Sequence, residues 1–196
     1  MEISRGEWAV LGFTIAYMAG FTLFFLAGGD GEFLWYAATM ALLVGLVAWL
    51  ARQAEVPVAL LWALTGWGFA HMAGGGVPVG DTVLYGVQLL PLVGEGELRL
   101  LKYDQVVHFY GFGTTAWLLW HLMGHYHPGM RGSWALLIYP ALGAMGLGAA
   151  NEMVEFAAVL IFPQTGVGGY YNTALDLVFN AAGAVSAMAV VARVAR

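Results

Sequence analysis

The sequence predicts an all-α, polytopic membrane helix bundle of about six transmembrane helices, forming a single transmembrane domain over residues 1–196. Three observations carry this. The chain is 61% hydrophobic and only 10% charged, against about half and about a quarter in a typical soluble domain. Its mean hydropathy is +0.76. Its apolar residues come in long uncharged runs, each near the ~20 residues that cross a hydrocarbon core. So few charges cannot solvate a water-facing surface. That excludes a disordered chain, a nucleic-acid-binding protein and an ordinary cytosolic enzyme. The absence of cysteine excludes disulfides, thiolate metal ligands and a cysteine nucleophile.

The elements follow in order. Residues 8–29 carry no charge and predict a span over 8–28. Glu2 and Glu7 dilute Arg5, and no small-residue cleavage site follows, so this run reads as a permanent span rather than a signal peptide. Residues 33–51 give the second span, and 57–73 the third, whose polar residue is His71. Residues 77–102 are punctuated by glycine and proline. Their apolar piece, 82–93, is too short to cross, and predicts an interfacial or re-entrant segment. The fourth span is 104–124. The fifth is 135–161, where thirty residues from 132 would rise about 45 Å, more than the core needs. Pro140 marks a candidate break there. The sixth is 171–193.

Lysine and arginine placement sets the orientation. With six spans both termini share a face, together with Arg5, Arg52, Arg131, Arg193 and Arg196. The opposite face has only Arg99 and Lys102, with Asp30, Glu32, Asp81, Glu95 and Glu97. Both termini are therefore expected in the cytoplasm, in a multi-pass protein of the inner (plasma) membrane.

Alternating direction then brings His71, Asp104, His108, Glu152, Glu155, Asp176 and Asn180 to the outer half of the membrane. The pairs Asp104/His108 and Asp176/Asn180 are i,i+4, and Glu152/Glu155 are i,i+3, so each pair shares one helix face. A carboxylate at the membrane centre costs about 2.5–3.5 kcal/mol on insertion scales, and less near the interface. Four carboxylates cannot share a pocket fully ionised without a cation. Either some carry protons, or a metal or cationic ligand neutralises them. Mixed carboxylate and imidazole donors suit Zn²⁺, Mn²⁺ or Fe²⁺ better than all-oxygen Ca²⁺. The ligands expected for a divalent ion such as Zn²⁺, Mn²⁺ or Mg²⁺ are Asp104, His108 and one of Glu152 or Glu155, with His71 available to complete the set. The other glutamate is then a general base. Asp176 and Asn180 form the supporting polar shell. The bland alternative is hydrogen-bonded glue between helices, worth about 0.6–2 kcal/mol per contact.

His121, His125 and His127 form a second group at the other end of the fourth span. Membrane di-iron enzymes need about eight histidines; this chain has 5, so these read as interfacial residues at a helix end. Serine occurs only at positions 4, 133 and 186, with no Gly-x-Ser-x-Gly. A serine-hydrolase mechanism has no support, and the separated glutamates do not fit a paired-glutamate membrane protease. Ala144-x3-Gly148 and Gly183-x3-Ala187 permit close helix packing.

Tyr103-Asp104-Gln105 followed by His108-Phe109 and Gly111, then Asn151-Glu152-x-x-Glu155-Phe156, then Asp176-x3-Asn180-x-x-Gly183, resembles the VanZ-like and YjdF-like bacterial membrane proteins. His71-Met72-x-Gly74-Gly75 favours the YjdF-like branch, and the resemblance covers about residues 57–190. It implies a multi-span inner-membrane protein of the cell envelope, and through the VanZ-like branch action on an envelope lipid at the outer face. Asn172 departs from the acidic residue that the YjdF-like branch is expected to carry there.

The leading reading is therefore a membrane-embedded enzyme or binding protein with an extracytoplasmic carboxylate–histidine site. Its partners would be the lipid bilayer and a lipid-linked or amphipathic substrate, not nucleic acid. The alternatives are a proton- or cation-coupled transporter and a structural membrane subunit. A site open sideways to lipid, open alternately to both faces, or dry and fully hydrogen-bonded would distinguish them.

Overall fold

A computed structural model describes residues 3–90, 99–162, 165 and 168–194. Among these residues six α-helices form: α1 (Arg5–Gly28), α2 (Gly31–Ala54), α3 (Val58–Gly76), α4 (Tyr103–Tyr126), α5 (Ala135–Ile161) and α6 (Tyr170–Val194). Four of them, α1, α2, α5 and α6, are long and apolar enough to cross a membrane by length and composition. The α3 and α4 helices are 19 and 24 residues long. The exposed surface of the long helices is apolar: Leu23 is 66% exposed, Leu42 73% and Leu160 71%. Side chains of this size, left out of the interior along every long apolar helix, are what a lipid solvent covers.

Two compact units divide the chain, Met1–Val87 and Gln88–Arg196. In the first, Ser4 and Glu7 form a reciprocal capping box that starts α1. Gly29, at φ +68°, ends it in the left-handed conformation that glycine adopts without a Cβ penalty. Asp30 then caps α2 through the Phe33 amide. The core is Tyr17, Phe25, Ala37, Met40 and Met72. The α1 and α3 helices are joined inside it by a bond between the Thr14 and Thr65 hydroxyls, which satisfies two polar groups away from water.

The 77–102 segment forms no crossing helix among its described residues. Pro78–Val79 pairs antiparallel with Thr82–Val83 as strands β1 and β2, and a single 3₁₀ turn, Leu84–Gly86, follows. Val93, Glu95 and Glu97 of that stretch, and Arg196, lie outside the described residues.

In the second unit α4, α5 and α6 pack together around Ala116, Ala141, Ala144, Ala184 and Met188. Four of these five are alanines, so the backbones approach closely, as the small-residue spacing predicts. The closest approach is at Gly183, where a Cβ would overlap the Phe109 carbonyl of α4. The candidate break at Pro140 does not occur: α5 runs unbroken from Ala135 to Ile161 with a fully buried Pro140 inside it. Pro140 stands one turn after Leu136 near the helix start. The bond it removes is therefore among the first the helix would make, and the ring is accommodated by packing.

Candidate functional site

The site in the second unit is built where α4 begins, α5 nears its end and α6 begins. The buried amide of Gln105 shapes the entry to α4. Its Oε1 accepts from the Lys102 amide at 3.2 Å, and its Nε2 donates to the Arg99 carbonyl at 2.9 Å. Leu101 turns there at φ +60°, a conformation that costs about 1–2 kcal/mol without glycine. Pinned this way, Lys102 reaches inward. Its Nζ lies 3.6 Å from Asp104 Oδ2 and donates to Asn172 Oδ1.

Asn172 is the hub at the α6 end. Its Nδ2 donates to Asp104 Oδ2 at 3.3 Å and to Asp176 Oδ2 at 2.6 Å. One amide thus bridges two carboxylates from different helices while its oxygen accepts from a lysine. The fully buried Asn180 orients the histidine: its Oδ1 lies 2.9 Å from His108 Nδ1. An amide oxygen only accepts, so in this pairing Nδ1 is the donor, and the lone pair of a neutral ring lies on Nε2. That Nε2 lies 3.6 Å from Asp104 Oδ1. On the other side of the ring, Glu152 Oε1 lies 3.7 Å from Nδ1. Glu155 accepts from Asn151 Nδ2 at 2.9 Å.

Ligand atoms of Asp104, His108 and Asp176 lie within 4.8 Å of one another, and so do those of His108, Glu152 and Glu155. The two groups share His108. Several buried atoms there have no hydrogen-bond partner among the described residues: both Glu152 oxygens, Asp176 Oδ1 and Asn180 Nδ2. An unsatisfied buried polar group costs about 1–3 kcal/mol, more if charged. Such a concentration at one point asks for a proton or a cation.

Six of the seven residues that the sequence singles out therefore converge: Asp104, His108, Glu152, Glu155, Asp176 and Asn180. Asp176, expected as a supporting group, offers a ligand atom directly. His71 belongs to the first unit, where its Nδ1 lies 2.6 Å from the Tyr85 hydroxyl, which also donates to the His71 carbonyl at 2.8 Å. Gly74 makes room for the Tyr85 ring, since a Cβ there would overlap it. Lys102, one of the two cations that the sequence places near enough to reach in, does so; the sequence reading missed Gln105 as its anchor and Asn172 as the bridge. A signal for Asn172 exists: Asn172, Asp176 and Asn180 recur every four residues and share one face of α6.

Gly148 of α5 supports this arrangement. A Cβ on it would stand 2.6 Å from Asn180 Nδ2 and 3.1 Å from Asn180 Cβ. Gly148→Ala is therefore expected to push Asn180 off His108 and to destabilise the protein by about 1–3 kcal/mol. Thermal unfolding in detergent checks this, with Gly146→Ala as the control. No atom lies within 4 Å of a Cβ at Gly146, so that change should be near neutral.

Apolar helices of membrane length with this buried ionisable cluster define a multi-pass integral membrane protein. Over residues 9–196 the chain matches the family described as predicted membrane protein DUF2238, and it belongs to that family. No curated protein and no solved structure matches it.

Proposed function

We propose that the Asp104–His108–Asp176 group, with Glu152 and Glu155 beside it, is a divalent-cation site. In this reading it serves a membrane-embedded enzyme or binding protein acting on a lipid-linked or amphipathic substrate. The observation that carries the proposal is the setting of the His108 ring: Asn180 Oδ1 accepts from Nδ1–H at 2.9 Å, and Nε2 faces Asp104 Oδ1 at 3.6 Å. Two donors on one tetrahedral ion at ~2.1 Å stand ~3.4 Å apart, close to that separation. A histidine held through its far nitrogen by an oxygen acceptor is also the usual way a metal ligand is oriented. The mixed nitrogen and oxygen donors suit Zn²⁺ or Mn²⁺, with Mg²⁺ a further candidate.

Residue roles follow from position. Asp104, His108 and Asp176 would hold the ion, which supplies positive charge to polarise a substrate oxygen. Asn172 and Asn180 orient these groups. Glu152, with no hydrogen bond to either oxygen among the described residues, is placed to take a proton from a water or substrate hydroxyl beside the ion. Glu155, tied to Asn151, is the weaker candidate for that role. We read all six helices as membrane spans in an inner membrane, with both termini cytoplasmic and the site near the outer face at headgroup depth. The likeness to YjdF-like and VanZ-like proteins supports an envelope lipid as the substrate class.

One observation favours a second reading, a proton- or cation-coupled carrier. Lys102 already provides a positive charge within 3.6 Å of Asp104, so the remaining carboxylates could share protons without a metal. Thermal stability separates the two. With Zn²⁺ or Mn²⁺ at a hundredfold over its Kd, the wild-type protein should gain about 2.7 kcal/mol by mass action, and Asp104→Asn should gain nothing. Equal gains in both proteins, or none in either for Zn²⁺, Mn²⁺ and Mg²⁺, would favour the proton-sharing cluster.

A further inference from the structure

The far end of α4 holds a second constellation that the carboxylate site does not use. His121 lies 17 residues after Asp104, about 26 Å along a helix at 1.5 Å per residue. A cavity of about 610 Å³ opens there, lined by His121, His125, Arg131 and Ser133, with Trp120 and Trp134 among its walls. The two imidazoles stack, with ring centroids 6.4 Å apart and planes inclined by 28°, as i,i+4 residues on one face do. Arg131 folds back so that its Nε donates to the Gly124 carbonyl at 3.0 Å, near the end of α4. That bond holds the guanidinium at the cavity and uses one of its five N–H donors. The remaining wall is apolar: Leu136, Leu137 and Val191.

From this cavity we infer a second binding site, for the phosphate group of a phospholipid headgroup or for free inorganic phosphate. The two sources share the chemistry that the cavity recognises. A guanidinium fork is matched to phosphate oxygens and forms charge-assisted bonds with them. An imidazole beside it supplies an N–H donor of the kind that phosphate oxygens accept from. Among the described residues that line the cavity there is no carboxylate, so an anion meets no like charge there. A free phosphate would use only the polar wall. A phospholipid would also cover the apolar one, with the tryptophans at the level where amphipathic rings sit in a bilayer.

The tryptophans provide the readout. Delipidated full-length protein in detergent is titrated with dihexanoyl phosphatidic acid, with inorganic phosphate, and with dihexanoylglycerol, which lacks the phosphate, while intrinsic fluorescence is followed. A saturable change is expected with phosphatidic acid and none with dihexanoylglycerol. Arg131→Gln should weaken it about tenfold, the loss of one charge-assisted hydrogen bond, and the double change His121→Gln with His125→Gln by about the same or more. Phosphatidic acid binding more tightly than inorganic phosphate identifies the lipid as the source; equal affinities identify free phosphate. Saturation by dihexanoylglycerol at the same affinity, or no saturable change with either phosphate compound, overturns the site. So does unchanged affinity in both sets of variants. The wild-type comparison decides the matter even if a variant fails to fold.

Discussion

His108→Ala is expected to weaken Zn²⁺ or Mn²⁺ binding by more than about a hundredfold, since it removes the nitrogen donor that both groups share. The imidazole stands at the junction of two donor groups, one with Asp104 and Asp176 and one with Glu152 and Glu155. Its removal leaves neither group with a nitrogen donor. Asp104→Asn should abolish metal retention as well, because the amide keeps the shape and loses the charge, while the protein still inserts and folds. Asn180→Ala tests the orienting bond separately. It leaves every ligand in place and frees the ring, so a loss of about 10–100-fold is expected, the range seen when the group behind a metal-bound histidine is removed. Competition titration against a chromogenic chelator measures all three. His125→Ala, on the same helix at the other end, should leave the affinity unchanged. Comparable losses for His125→Ala and His108→Ala would mean that the readout follows folding rather than ligation.

Gly183→Val is expected to have the largest effect on stability. A Cβ at position 183 would overlap the backbone carbonyl of Phe109, and a Cβ at Gly113 would already come within 3.1 Å of the Gly183 carbonyl. Here α4 and α6 meet backbone to backbone, so no side-chain rotation can relieve the overlap. The helices must separate. Overpacking in a well-packed core costs about 1–3 kcal/mol when side chains can adjust; a clash with backbone should cost about 3 kcal/mol or more. The separation also reaches the site, since Asn180 lies one turn before Gly183 and bonds to His108 across the same contact. Thermal unfolding and metal titration of the variant should therefore fail together. Gly146→Ala, in open space, should leave both intact.

These two changes show which features the sequence exposes. Gly183 is readable from small-residue spacing, because close helix approach without a hydrophobic driving force demands small side chains at fixed intervals. Asp104, His108, Glu152, Glu155, Asp176 and Asn180 are readable because ionisable and amide groups in apolar runs are costly, and alternating helix direction fixes which end of the bundle they share. The boundaries of α5 were legible, and its passage through Pro140 was not, since a proline in the second turn breaks a helix or is absorbed depending on its neighbours. Lys102 is readable as one of two cations near enough to reach in, but how it is held there, through Gln105, is hidden for a different reason. Lys102 precedes α4, outside the apolar pattern, and its inward course depends on the Gln105 amide gripping the Arg99 carbonyl, a tertiary bond that no spacing encodes. Asn172 looked like a departure from an acidic pattern. An amide suits this position because it both donates to two carboxylates and accepts from a lysine, which a carboxylate cannot do. The far cavity is legible only as a group of three histidines; Arg131 joins two of them, His121 and His125, by folding back onto Gly124.

The carboxylate–histidine cluster stands or falls on metal content. Protein purified in detergent without chelators, and quantified by elemental mass spectrometry against amino-acid analysis, should carry close to one equivalent of a single divalent metal per chain. The same preparation of Asp104→Asn should carry none. Wild-type protein that is folded and holds no stoichiometric metal, and that takes up none from added Zn²⁺, Mn²⁺ or Mg²⁺, would contradict the metal site and leave a proton-sharing cluster in its place.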